Sequence, residues 1–342
     1  MRGMKFRGPL GSALHIDPKC GARIEQITLR PKKIEQNAPV FEKHGSFETA
    51  PPVRLLIPEG QTETEPDTER ETTSCNSSTF NGHILLPFND RIPGGRYLYD
   101  GYNYELPINE PESGDAIHGF FYTLKTELLS HDRTNRNELR AVFFRETEER
   151  TTIGYPFALS VRLVYTLRAH SFRMDISVRN RSSSPAPLAV GWHPYFRLSS
   201  RVDDLRLSLP ADRYVEVDSA LLPTGLVPLV DGSPYDFRNE RRIGSTEMDI
   251  ALRLNHEAVT SSGTAAPSFS TLTLRSEDYR LTMRSGPELL YRQIFIPPDR
   301  RSIAVEPISA ATNSFNLPDL GLTSLRPGET METWVELELE RV

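Results

Sequence analysis

Five side chains in this sequence are of the types, and in the settings, that proton transfer and polar recognition require. His193 lies in Val190-Gly191-Trp192-His193-Pro194-Tyr195-Phe196, where an apolar strand stops and the ring is pinned before a proline. An imidazole titrates near ~6.5, and modest changes of surroundings move it across working pH. Alone it decides nothing, because a buried histidine bonded to a loop carbonyl among core aromatics reads the same way. Glu306, in Ile303-Ala304-Val305-Glu306-Pro307, is harder to dismiss, since glutamate is seldom buried unpaired. Arg91, in Phe88-Asn89-Asp90-Arg91-Ile92, reads by itself as a salt bridge to Asp90. His118 sits in Ile117-His118-Gly119-Phe120. Asp249 follows Gly244-Ser245 closely enough to read as a turn cap. An acid and a base serve proton transfer, whereas two carboxyls, here Asp249 and Glu306, would serve glycoside hydrolysis. His15, His44, His83, His131, His170 and His256 lie in polar or irregular contexts and read as surface residues.

Short strands must position these groups. Val161, Leu163, Tyr165 and Leu167 share one face of a run, and Phe172, Met174, Ile176 and Val178 share one face of the next. Arg173, Asp175, Ser177 and Arg179 take the opposite face, as a half-exposed antiparallel hairpin requires. Similar alternations recur at 205–209, 272–274, 279–283 and 335–339, with further strands expected at 22–29 and 53–57. No long segment holds a 3.6-residue apolar period, and 27 prolines would break most candidate helices. The pattern predicts an all-β sandwich or barrel with little helix. Residues 61–78 are mostly Glu, Thr, Asp and Ser, and read as a mobile insertion within a single domain spanning 1–342.

Composition narrows the function classes. The 342 residues carry a net charge of -6 with both signs scattered, which argues against a nucleic-acid surface. No apolar run approaches the ~18 residues of a membrane span, so a cytoplasmic protein is expected. Cys20 and Cys75 lie in unlike contexts and read as free thiols, and neither has a neighbour at zinc-ligand spacing.

In order along the chain, the segments around the five residues resemble the aldose 1-epimerase (mutarotase) family. Asp90-Arg91-Ile92 followed by Gly95-Arg96-Tyr97 is similar to that family's Asn-Arg-Ile…Gly-Arg-Phe. His118-Gly119, His193-Pro194-Tyr195-Phe196 and Val305-Glu306-Pro307 are similar to its His-Gly, His-Pro-Tyr-Phe and Glu-Pro segments. Pro223-Thr224-Gly225, Asp236-Phe237 and Asp249 match a further run. The resemblance covers roughly residues 80–342, and short motifs gain specificity by occurring in order. It departs at Asp90, where the family has Asn, and at the insertion before Phe80.

The resemblance implies a large antiparallel β-sandwich of the galactose mutarotase-like type, whose concave face holds a small-molecule sugar without a metal or other cofactor. It implies interconversion of the α and β anomers of free aldohexoses by ring opening and reclosure. Glu306 would be the base on O1 and His193 the acid on the ring oxygen, held protonated by nearby carboxylates. Arg91, His118 and Asp249 would bond the sugar's hydroxyls. The alternatives are a hexose 6-phosphate 1-epimerase of the same superfamily, a non-catalytic carbohydrate-binding sandwich, and a glycoside hydrolase. Asp90, Asp249 and Glu306 outnumber Arg91, a balance that repels a phosphate dianion. Arg238, Arg241 and Arg242 lie in a polar stretch and read as a solvated face. The oligomeric state is left open.

Overall fold

The structure is a computed structural model in which residues 3–33, 51–56, 75, 79–255 and 269–342 are described. Among them the period-two alternation resolves into antiparallel sheets, with helix confined to short 3-10 turns. A ten-stranded sheet runs in the order Glu127–Asn135, Glu138–Glu146, Leu159–Leu167, Ser171–Asn180, Thr330–Arg341, Tyr279–Ser285, Ser270–Arg275, Arg206–Ser208 and Arg241–Arg242; Lys32–Lys33 joins Thr330–Arg341 in parallel. A seven-stranded sheet runs Ala211–Tyr214, Asp249–Leu254, Tyr291–Phe295, Ile303–Ile308, Gly191–Trp192 and Ile84–Leu85, with Tyr195–Phe196 also paired to Ile303–Ile308. The fold is that of an all-β sandwich, as the alternation predicts.

The hairpin Leu159–Leu167/Ser171–Asn180 pairs Leu163 with Ile176 and Tyr165 with Met174. Its predicted apolar face is buried throughout. A one-residue slip would drive that whole set into water, so burial fixes the register. From the smaller sheet, Ile250, Leu252, Ile294, Ile303 and Val305 enter the same apolar cluster as Met174, Leu281, Val335 and Leu337 of the larger one. Residues of opposite parity on the smaller sheet, Ala251, Tyr291 and Ile308, belong to a separate cluster on its other face. Glu306 has the parity of Ile308, Gln293 that of Tyr291 and Asp249 that of Ala251. Alternation therefore places these three on the face turned away from the main core.

The strand expected at 22–29 is present as Arg23–Leu29, and it pairs with Ala13–Asp17, itself paired with Met4–Arg7. Of the strand expected at 53–57, Val53–Arg54 is present and Leu56 makes an isolated antiparallel bridge to Phe196, while Ile57 lies outside the described residues. The insertion expected at 61–78 lies outside the described residues apart from Cys75. There one expectation is corrected: Cys20 and Cys75 are joined in a disulfide with a Cα–Cα distance of 5.2 Å. The turn Asp17–Cys20, closed by a bond from Cys20 N to Asp17 O, carries Cys20; a sequence separation of 55 gave no sign of that proximity. No helix among the described residues is long and apolar enough to cross a membrane.

Candidate active site

The strand Ile303–Ile308 organises the site. Gly191 pairs with Ile308 and Tyr195 with Ala304, so the residue midway between them, His193, falls opposite Glu306. Pro194 interrupts the ladder there, although its carbonyl still accepts a bond from Val305 N. His193 Nε2 lies 3.4 Å from Glu306 Oε1, and both side chains are almost wholly buried. On the other flank Gln293 pairs directly with Glu306. Gln293 Nε2 donates to Asp249 Oδ1 at 2.7 Å, fixing the carboxylate of the next strand. Asp249 opens the strand Asp249–Leu254 rather than capping a turn.

Arg91 and His118 arrive from a short ribbon in which Arg91 pairs with Ile117. His118 adopts a left-handed φ of 61° and Gly119 one of 71°. Gly119 passes so close to the neighbouring segment that an added Cβ would sit 1.9 Å from Leu86 O, which is why no side chain fits. The backbone N–H of Asp90 donates to His118 Nδ1 at 3.1 Å. That bond leaves the proton of the neutral ring on Nε2, making His118 a donor. Its ring meets that of His193 edge-on at 5.1 Å. The structure thus brings all five residues singled out from the sequence into one group, with His118, His193 and Glu306 buried and Arg91 and Asp249 half-buried.

The sequence did not single out the other members as site residues. Glu110 grips Arg91 with both carboxylate oxygens, at 2.9 Å to Nε and 3.2 Å to Nη2. Thr312 bonds Asp90 Oδ2. Half-buried Phe80 packs against His118 at 4.6 Å between ring centres, and Tyr195 stacks on His193 at 5.1 Å. Phe295 meets Tyr195 edge-on at 6.4 Å. The same register extends one strand further, because Gly191 and Trp192 pair with Leu85 and Ile84, and His193 N donates to His83 O. His83 is therefore not a surface residue. It is fully buried against Phe80 and Tyr122, with neither ring nitrogen hydrogen-bonded. Of the other histidines expected at the surface, His131 is exposed, His15 and His170 are half-buried, and His44 and His256 lie outside the described residues.

Burial sets the electrostatics. It pushes Glu306 well above the usual carboxylate range; Asp90 and Asp249 add to the rise and Arg91 opposes it. Asp249 is pushed up to about 6, by burial first and then by Asp90. Asp90 is also raised by burial, against the pull of Arg91. His193 is pushed down to about 3, with burial as the main cause. This corrects the expectation that neighbouring carboxylates hold it protonated: the cost of desolvating an imidazolium decides, and the nearest carboxyl, Glu306, is itself pushed toward its neutral form. Arg238 and Arg242 are exposed, as the sequence suggests, whereas Arg241 is half-buried. Arg238 pairs with Asp231 and Asp236, Arg241 lies over Phe237, and Arg242 pairs with Asp204. Among the described residues no group of three or more His, Cys, Asp or Glu side chains is arranged to hold a metal ion.

This arrangement can be set beside known proteins. Residues 61–338 match the model of the aldose 1-epimerase family. The chain belongs to that family. Membership makes it an isomerase of the mutarotase type. The protein YihR of Escherichia coli K12, described as uncharacterized, is 32% identical over 238 residues, 69% of this chain and 71% of its own. The galactose mutarotase of Mus musculus is 33% identical over 173 residues, 49% of this chain and 48% of its own. The chain thus aligns with about half the length of that relative. Among solved structures, a galactose mutarotase-like protein from Clostridium acetobutylicum gives a TM-score of 0.77 at 19% identity, covering 99% of this chain and 95% of that one. A GalM/aldose epimerase homologue from C. elegans gives 0.76 at 18%, covering 99% of both. At such identities the likeness is one of fold, and it matches the sandwich of this epimerase-family member.

Proposed function

We propose that the protein interconverts the α and β anomers of free, neutral aldohexoses, with Glu306 and His193 as the proton-transferring pair and Arg91, His118 and Asp249 as ligands of the sugar's hydroxyls. The observation that carries this reading is the cross-strand pairing that sets His193 Nε2 3.4 Å from Glu306 Oε1. Ring opening removes the proton from O1 and delivers one to the ring oxygen as the C1–O5 bond breaks and C1 becomes a carbonyl. With Glu306 as carboxylate and His193 as imidazolium, that step leaves a protonated Glu306 and a neutral His193. Burial holds the resting pair in those same protonation states, so the pair's one proton first crosses the 3.4 Å contact from Glu306 to His193; ring opening then restores the favoured neutral pair. Rotation about C1–C2 turns the other carbonyl face to the ring oxygen, and closure returns both protons. Each group is expected to supply about 10²–10⁴ in rate.

Neutral sugars are favoured by the charge around the pocket. Glu306 and Asp249 feel one cationic neighbour, Arg91, against several carboxylates. The three arginines at 238, 241 and 242 are occupied by local partners. Exchange between the anomers of glucose and of galactose, followed by NMR with and without protein, tests the reading. Catalysed exchange is expected. Hydrolysis of an aryl glycoside without anomer exchange would replace it with the hydrolase alternative, and binding without exchange with the carbohydrate-binding one.

A further inference from the structure

We propose that Glu110 is a specificity-determining residue that keeps anionic sugars out of the pocket by occupying Arg91. The proposal rests on the neutral-sugar reading above and names the residue that enforces it. An arginine beside bound sugar is ordinarily a ready-made clamp for a carboxylate or phosphate, because its planar fork offers two parallel N–H donors. Here the Nε/Nη2 edge is already filled by both oxygens of Glu110. The Nη1 side faces Asp90 Oδ1 at 3.5 Å. One guanidinium therefore stands between two carboxylates, and the assembly is net negative when both are ionised.

Glu110 is also built into place. Ser113 Oγ donates to Glu110 Oε2 at 2.7 Å, and Gly114 N donates to Glu110 O at 3.0 Å. The loop carrying it is closed by Asn109, which accepts from Ile117 N at 2.7 Å and donates to Ile117 O at 2.8 Å. Ile117 is the residue paired with Arg91 in the ribbon. The loop thus holds the carboxylate in register with the guanidinium, and a side chain fixed on both sides gives little way to an incoming anion. The negative field of Glu110 reaches Asp90 and Asp249 as well as Arg91.

The test compares kcat/KM for glucose, glucuronate and glucose 6-phosphate in the wild type and in the E110Q, E110S and E110D variants, each normalised to its own value for glucose. In E110Q and E110S the relative value for the two anions is expected to rise about tenfold, the size of one screened charge contact, and mainly through a lower KM. E110D keeps the charge and is expected to retain the wild-type ratio. A neutral-preferring wild type whose ratio does not move in either uncharged variant overturns the proposal and leaves the neutral-sugar reading standing. The same holds if E110D shifts the ratio as far as E110Q, since packing rather than charge would then be responsible. A wild type that already prefers an anion overturns the reading and the proposal together.

Discussion

The two large sheets share one pattern of alternation and use their outer faces in opposite ways. On the ten-stranded sheet the outward residues include ions paired in partial contact with water. Arg173 meets Asp175 at 2.7 Å and lies over Trp334, and Arg284 reaches Glu336 and Glu338 at 3.4 and 3.0 Å. Such pairs cost little to form and contribute little, commonly below about 1 kcal/mol each. On the seven-stranded sheet the outward row His193, Glu306, Gln293 is roofed over, and its titratable groups are displaced toward their neutral forms by burial. Charges that the first sheet keeps wet and paired are dried and held close together in the second. Covering an outer face, rather than changing its polarity, is what displaces its titratable groups toward their neutral forms.

The sharpest break in the comparison should come from the row itself. His193→Ala and Glu306→Gln are each expected to lower kcat about 10²- to 10⁴-fold with the fold retained, measured as anomer exchange alongside a thermal melt. Full activity in either variant removes that residue from the proton transfers.

Asp249→Asn separates the sheets through stability. The folded-state pKa of Asp249, about 6, lies above the ordinary carboxylate value. Its burial therefore favours folding while the group is protonated, and this contribution is lost as pH rises from ~4 through about 6. At pH 7.5 the asparagine variant should be more stable than wild type by on the order of 1–3 kcal/mol in urea unfolding, with a smaller gain at pH 4.5. A variant that is less stable at pH 7.5 would mean that the carboxylate is well paired after all. Its kcat/KM is expected to fall, because a ligand of the sugar is weakened.

Asp90→Asn keeps a side chain able to bond Thr312 and the Arg91 backbone while removing the charge. Its effect on kcat should be far milder than that of Glu306→Gln, about tenfold or less. A loss as large as that of Glu306→Gln would draw Asp90 into the chemistry. The smallest effect belongs to the other sheet. Arg284→Gln should leave anomer exchange unaltered and shift stability by no more than about 1 kcal/mol, less at high salt. A larger penalty would show that the outer ladder of the ten-stranded sheet is more than a solvated surface.

By itself the sequence determined the class of fold and the faces of its best strands, because period-two burial is a local property that Val161–Leu167 and Phe172–Val178 display without knowledge of their neighbours. It also singled out His193, Glu306, Arg91, His118 and Asp249, since each stands in a short segment whose order along the chain resembles one family. Tertiary structure alone decided which of these meet. His193 faces Glu306 because antiparallel pairing sets Gly191 against Ile308 and Tyr195 against Ala304; a register between distant strands has no local signature. The same holds for Gln293 beside Glu306, for Glu110 on Arg91, for the burial of His83 and for the disulfide between Cys20 and Cys75. Protonation was equally out of reach. Whether a carboxylate raises a histidine's pKa or burial lowers it depends on how much water the fold removes, and the balance at His193 appears only once the strands around it are packed.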